Sequence, residues 1–250
     1  MPPRIYAFAN QKGGVGKTTT AVNLAACLAE AGERALVIDL DPQANATSGL
    51  GMRANGTSTY DLLDGAPLAD LAKPTKFANL SLVPSRPELA GAAVELSNHP
   101  DGERYLAQAL SQADGYDFVL IDCPPSLGPL TVNALAAADR VIVPVQAEYF
   151  ALEGLAQLVQ SINLVKTRLN PKLEIAGVIL TMTDSRTRLS ADVEAEVRKH
   201  FGDLVFRTVV PRSVRVAEAP SHGLPVTHYD RASRGADAYW KVAMELVERR

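Results

Sequence analysis

An α/β fold, with a mostly parallel, twisted sheet and helices on both faces, is what this chain predicts. Three observations carry that reading. Two wholly apolar runs, A-L-V-I-D at Ala35–Asp39 and F-V-L-I-D at Phe118–Asp122, read as strands buried on both faces. Strand-like and helix-like segments alternate along the chain, as they do when helical crossovers join parallel strands. A Gly-rich stretch, N-Q-K-G-G-V-G-K-T-T-T at Asn10–Thr20, links a short apolar run to an amphipathic helical pattern.

The elements follow in order. Ile5–Ala9 is a strand. Thr18–Ala31 is a helix with Ala21, Leu24, Ala25 and Leu28 on one face, and Gly32 ends it. After the strand Ala35–Asp39, the stretch around Gly49, Gly51 and Gly56 reads as a loop. Short helices are expected at Thr59–Asp64 and Leu68–Ala72, a strand at Leu80–Pro84, and helices at Pro87–Leu96 and Gly102–Gln112. Beyond Phe118–Asp122 come a helix at Pro129–Ala138 and a strand at Arg140–Gln146. The long helix Ala151–Leu169 turns Leu152, Leu155, Leu158, Val159, Ile162 and Val165 inward. Glu174–Leu180 is a strand, Leu189–Phe201 a helix and Val205–Val210 a last strand. Ser213–Ala219 is a short helix or turn, and Ser233–Glu248 a closing helix. No repeat, low-complexity tract or linker interrupts the pattern, so residues 1–250 are expected to form one domain.

At 250 residues, 47% apolar and 21% charged, the chain can bury a sizeable core. No apolar run approaches the ~18 residues of a membrane span. Met1–Arg4 lead straight into the first strand, so no signal peptide is expected. Cys27 and Cys123 lack metal-ligand spacing and read as reduced core thiols of a cytoplasmic protein. The net charge of −3 hides an asymmetry: residues 1–165 hold 10 Lys+Arg against 17 Asp+Glu, and residues 166–250 hold 15 against 11. A basic final third suits an anionic partner, although scattered solvated charges give the same count.

The Gly-rich stretch has the strand–loop–helix context of a phosphate-binding loop. Gly13, Gly14 and Gly16 let the backbone curl and aim its N–H groups at phosphate oxygens. Lys17 reaches the β- and γ-phosphates, Thr18 ligates Mg²⁺, and the following helix presents its positive end. Gln11, Lys12, Val15 and Thr19 complete the expected phosphate site. Gln11 stands where G-x-x-x-x-G-K-[ST] has its first glycine, and Lys12 is a second lysine. One lysine neutralises the bound phosphates. Lys12 is therefore either a finger reaching a partner subunit's nucleotide or a solvated loop charge.

Asp122 ends an apolar strand, the position from which a carboxylate supports a phosphate-held cation, usually through water. Asp39 and Asp41 end another strand, two residues apart, and point the same way. No N-K-x-D guanine motif occurs, so adenine is the expected base. ATP and Mg²⁺ are the expected cofactors. No glutamine-rich switch and no histidine stands near the loop, so hydrolysis is expected to be slow until a partner raises it.

K-G-G-V-G-K-T-T-T resembles the deviant Walker A loop of the ParA/MinD group of ATPases. The likeness extends to D-P-Q-A-N-A-T-S-G-L-G (Asp41–Gly51), P-V-Q-A-E-Y-F-A-L-E-G-L (Pro144–Leu155), L-T-M-T-D (Leu180–Asp184) and E-A-P-S-H-G-L-P-V (Glu218–Val226). Together these look like the small chromosomal ParA proteins, also called Soj. The resemblance implies an ATP-sandwich homodimer with Lys12 acting in trans. It implies that Asp41 orients or activates the attacking water and that Asp39 supports the metal. It places Pro211 and Ser213 at the adenine and Arg212 on DNA, with Ser213 standing where the family commonly has Asn. It also implies non-specific binding of double-stranded DNA on the nucleoid and stimulation of hydrolysis by a ParB-type centromere-binding protein. Arg198 and Arg215, in the basic third, join Arg212 as expected DNA contacts through salt-sensitive phosphate binding.

Two other readings stand beside it. A MinD-like septum-positioning ATPase needs a membrane-binding amphipathic C-terminus. Here Trp240, Ala243, Leu246 and Val247 share one face, and core packing explains them better, so no membrane partner is expected. A metabolic P-loop enzyme such as an amidoligase needs a second substrate pocket, which no motif marks.

Overall fold

The computed structural model describes residues 2–111, 113–148 and 151–249. Gln112, which ends one expected helix, lies outside them, as do Met1, Arg250, and Tyr149 and Phe150 of the Pro144–Leu155 stretch. In chain order the elements are β1 (Arg4–Phe8), α1 (Lys17–Glu30), β2 (Ala35–Asp39), α2 (Asn45–Gly49), α3 (Thr59–Leu63) and α4 (Leu68–Leu71). Next come β3 (Lys73–Pro74), β4 (Leu80–Val83), α5 (Leu89–Ser97), α6 (Tyr105–Leu110), β5 (Phe118–Asp122), α7 (Pro129–Ala137) and β6 (Arg140–Gln146). The chain continues with α8 (Ala151–Arg168), β7 (Glu174–Thr181), α9 (Arg188–Phe201), α10 (Val214–Glu218), α11 (Val226–Tyr229) and α12 (Arg234–Glu248).

The strands form one sheet in the order β3-β4-β2-β5-β1-β6-β7, parallel except for the two-residue edge strand β3. Alternate residues feed opposite cores, as the two-residue period of a strand requires. Along β5, Phe118 and Leu120 join Tyr6 and Phe8 under α1 and α12, while Val119 and Ile121 join Leu106, Leu130 and Leu158 on the other face. Both faces are covered, which is why β2 and β5 are buried throughout and apolar up to their closing aspartates.

Helix α1 is more buried than a one-sided pattern allows. Every residue from Thr20 through Ala29 is buried, because α12 and α2 pack beside it as well as the sheet. Four alanines in that stretch keep it thin enough to be enclosed. At the other end of the chain, Ala243 and Leu246 are buried, and Trp240 and Val247 pack against the same core.

The strand expected at Val205–Val210 does not form. It meets β7 through an isolated bridge of Val205 with Val178 and the bond from Val210 N to Leu180 O at 2.8 Å, and just beyond both segments Pro211 bridges Thr183. The backbone N–H groups of Arg207 and Thr208, which a ladder would need, donate instead to the buried carboxylate of Glu245, at 2.8 and 3.2 Å. Glu245 lies on α12, so this competitor is distant in sequence. The stretch around Gly49 is likewise helical where a loop was expected, with Ala44 before it in the left-handed region at φ 54°.

Candidate nucleotide site

The loop after β1 is tied down on both sides. The amide of buried Asn10 donates to Pro144 O at 2.8 Å, and its Oδ1 accepts from Lys12 N at 3.0 Å. Thr181 Oγ1, at the end of β7, donates to Val15 O at 2.8 Å. Gly14 and Gly16 have φ of 74° and 89°, conformations that side chains resist. Helix α1 then starts at Lys17 with no side-chain cap and no acid in its first turn. Its first N–H groups are left without intrahelical partners, and the helix dipole adds positive potential there. That combination draws an anion.

Lys17 is buried and folds back over the loop, donating from Nζ to Lys12 O at 3.2 Å. Burial lowers its pKa, and Asp122, Cys123 and Asp41 pull it back up. Lys12 points elsewhere. Its ammonium pairs with Glu148 at 2.7 Å, with both side chains about half exposed.

Parallel pairing of β2 with β5 sets Asp39 opposite Asp122. The two buried acids differ in their surroundings. Asp39 Oδ2 accepts from Thr47 N at 2.8 Å and from Thr47 Oγ1 at 2.6 Å, and its Oδ1 accepts from Asp41 N at 3.2 Å. Asp41 Oδ1 in turn accepts from Gln43 N at 2.9 Å. Asp122 is fully buried, and neither of its oxygens has a hydrogen-bond partner among the described residues. Burial pushes its pKa well above the usual carboxylate range, and Asp39 adds to the rise. The Thr18 hydroxyl and Lys17 moderate it without a hydrogen bond of good geometry. Asp39 is raised too, chiefly by burial, and the Thr47 hydrogen bonds hold it back.

An unpaired buried carboxylate is costly, so Asp122 is set up for a cation. Among the described residues no group of three or more His, Cys, Asp or Glu could hold a metal alone. A divalent ion here needs phosphate oxygens and water to complete its shell, the habit of Mg²⁺. The residues present fit that ion through Thr18 and Asp122. Asp39, expected at the metal, has both oxygens in hydrogen bonds, Oδ2 with Thr47 and Oδ1 with the backbone N–H of Asp41.

The cleft beside the loop has a volume of about 400 Å³. Gly13, Gly14, Lys17, Thr18 and Asp41 line its polar end, and Met182, Pro220 and Leu224 its apolar end. Met182 holds φ 53°, a strained value for a residue with a side chain, beside this wall. Pro211 and Ser213, expected at the base, do not line the cleft. Pro211 pairs with Thr183, and Ser213 Oγ caps α10 by accepting from Val216 N at 3.5 Å. The apolar wall comes instead from Pro220 and Leu224, in the stretch Glu218–Val226.

The three arginines expected on DNA part company. Arg212 is exposed, with no side-chain hydrogen bond or ion pair among the described residues, and its backbone N–H donates to Thr183 O at 3.0 Å. Arg215 pairs with Glu218 at 3.1 Å and Asp230 at 3.2 Å. Arg198 donates to Glu194, to Phe206 O at 3.1 Å and to Arg207 O at 3.2 Å. Its guanidinium thereby ties the 205–208 segment to α9.

Asn10, Thr47 and Glu148 were not singled out by residue type. Thr47 follows Asp41 by six residues in a motif whose aspartates draw the attention. Asn10 and Glu148 act on partners more than 130 residues away in sequence.

A phosphate-cradling loop at the carboxyl edge of a parallel sheet, with a strand-end aspartate beside it, defines a P-loop NTPase of the deviant Walker A type. A family model described as an AAA domain matches residues 3–175. The chain is 54% identical over 246 residues to the chromosome-partitioning ATPase Soj of Thermus thermophilus, covering 98% of this chain and 96% of that one. It is 52% identical over 248 residues to the sporulation initiation inhibitor protein Soj of Bacillus subtilis, covering 98% of each. Among solved structures it resembles a cobyrinic acid a,c-diamide synthase from Mycobacterium smegmatis with bound ATP analog and magnesium. That match has a TM-score of 0.86 and 38% identity, and covers 98% of this chain and 95% of that one. The chain belongs to the ParA/Soj family of chromosome-partitioning ATPases.

Proposed function

We propose that residues 1–250 act as a single ATPase unit that segregates DNA in the cytoplasm, on the nucleoid. The observation that carries the chemistry is the buried, unpartnered Asp122 beside Thr18 and the uncapped start of α1. Thr18 and Asp122 would hold Mg²⁺, which neutralises phosphate charge when bound. Lys17 binds the β- and γ-phosphates, and the N–H groups from Gly13 to Thr19 cradle them. Asp41, anchored by Asp39 and Gln43, accepts a hydrogen bond from the attacking water. Lys12 leaves Glu148 and reaches the nucleotide of a second copy. A half-exposed ion pair is weak enough for that exchange.

ATP binding then builds a sandwich dimer whose two basic faces bind duplex DNA without sequence preference, Arg212 being the available contact. A ParB-type protein raises hydrolysis and releases the DNA. The name of the Mycobacterium smegmatis structure raises an amidoligase reading. Lys17 is the only cation among the described residues lining the cleft, which leaves no second cationic site for a polycarboxylate substrate.

The test is duplex binding by the pure protein with ATP, with ADP and without nucleotide, over a salt series, alongside anionic liposomes. Binding to DNA only with ATP, falling steeply with salt, is the expected result. Binding to liposomes alone points to the MinD-like reading, and binding to neither points to a metabolic enzyme.

A further inference from the structure

Asn23 is the one amide side chain in the buried run Thr20–Ala29 of α1. A buried polar group in a helix interior is costly unless it is bonded, and both ends of this one are. Its Nδ2 donates to Thr19 O at 2.7 Å, and its Oδ1 accepts from Val226 N at 2.7 Å. Val226 N can only donate, so the orientation of the amide is fixed. Val226 begins α11, and Pro225 before it supplies no side-chain cap, so this N–H has no partner within its own helix. A residue of α1, some 200 positions earlier, does what a local cap would do.

Asn23 also lines the nucleotide cleft, beside Thr19 and Val22. Its two bonds run toward the two ends of that cleft. Thr19 belongs to the phosphate-binding start of α1. Val226 lies two residues beyond Leu224, which forms the apolar wall with Pro220. The wall is a closed turn: Gly223 N donates to Pro220 O at 2.9 Å, and Leu224 N donates to Ala219 O at 3.2 Å. On one side it rests on backbone, since a Cβ on Gly223 would stand 2.5 Å from Gly51 Cα. At its exit it is fastened to α1 by Asn23.

We propose that Asn23 is the positioning residue that fixes the wall of the base site against the phosphate-binding start of α1, and so sets the spacing that an adenine nucleoside triphosphate must match. This role rests on reading the apolar end of the cleft as the seat of the adenine. Binding of the whole nucleotide needs both ends at their correct separation, whereas the reacting phosphates touch neither Asn23 nor Val226. Loss of the bond therefore weakens binding and spares the chemical step.

The experiment measures KM and kcat for ATP with the full chain and Mg²⁺. Two variants break the same bond from opposite ends. Asn23→Ala removes the acceptor. Val226→Pro removes the donor at the first position of a helix, where proline is tolerated, and Pro225 before it is already extended at ψ 151°. Leu224→Ala reports on the base site itself. Expected for Asn23→Ala and for Val226→Pro is a rise in KM of roughly tenfold, the size of one lost hydrogen bond, with kcat within about twofold of the parent. The two together should raise KM no further than either alone. Added to Leu224→Ala, Asn23→Ala should raise KM by less than about twofold, because the wall it positions is already gone.

If Leu224→Ala leaves KM unchanged, the base does not sit against this wall, and the role of Asn23 falls with that reading. If Leu224→Ala raises KM and neither Asn23→Ala nor Val226→Pro does, the role of Asn23 alone is overturned. It is equally overturned if the effects of Asn23→Ala and Leu224→Ala multiply in full, or if kcat falls while KM holds, since Asn23 would then act on the phosphate end. Should Asn23→Ala fail to fold, Val226→Pro decides the question by the same readings.

Discussion

Replacing Thr47 with valine tests the buried network behind Asp41. The side chains are nearly the same shape, so no cavity forms. What disappears is the 2.6 Å bond from Thr47 Oγ1 to Asp39 Oδ2 and the acceptor for Ser85 N at 2.9 Å. A hydrogen bond to a charged group contributes about 1.5–3 kcal/mol, and leaving the Ser85 N–H unpaired in the core costs about 1–3 kcal/mol more. The two losses share one oxygen, so they do not simply add, and about 3 kcal/mol is expected. At this size a loss of 1 kcal/mol lowers the melting temperature by about 2–4 °C, so a fall of roughly 6–12 °C follows. The loss also depends on pH. The folded pKa of Asp39 is raised above its unfolded value, so acidification neutralises Asp39 in the native state first. A neutral acid gains less from the hydroxyl, and the deficit should shrink between pH 8 and pH 5. Thermal melts of the nucleotide-free parent and variant at both pH values measure it. Because Asp39 also orients Asp41, kcat for ATP should fall with little change in KM. A destabilisation under about 1 kcal/mol, or one that is the same at both pH values, would refute the reasoning.

Three further outcomes are expected. Asp122→Asn removes a buried carboxylate whose folded pKa lies above its unfolded value, so its stabilisation belongs to low pH and is lost as pH rises. The nucleotide-free variant should therefore melt higher than the parent at pH 8, by about 1–3 kcal/mol, and match it near pH 4, while ATP turnover drops roughly a hundredfold. Arg198→Ala should lower the melting temperature by the equivalent of about 1–3 kcal/mol, with no loss of DNA affinity in the folded protein, whereas Arg212→Ala should lose affinity and reduce its salt slope at constant melting temperature. Gly223→Ala puts a Cβ 2.5 Å from Gly51 Cα at a residue with φ 63°, so the segment bearing Pro220 and Leu224 must retreat. It should destabilise by about 2 kcal/mol and raise KM for ATP, read from melts and from initial rates.

Local chemistry reaches a long way in this chain. The apolar runs ending in Asp39 and Asp122, the glycines of the phosphate loop, Lys17 and Thr18 mark the parallel sheet and the phosphate site from the sequence alone. Each of these signals lies within a few residues, and each backbone conformation or charge it demands is local. The Walker-type loop needs nothing distant to be recognised, and neither does the buried strand.

Tertiary structure decided the rest, wherever a partner outside an element outcompetes what the element's own residues prefer. Val205–Val210 has strand-like residues, but Glu245 on α12 takes the N–H groups a ladder needs. Arg198 sits in a basic stretch, but the carbonyls of Phe206 and Arg207 take its donors. Asp39 and Asp122 end similar strands, yet only Asp122 is left unpaired, because Thr47 and Asp41 reach Asp39 first. The cleft wall passes from Pro211 and Ser213 to Pro220 and Leu224 for the same reason. Which atoms face a site depends on what else can reach them, and that competition is settled only when the whole chain has packed.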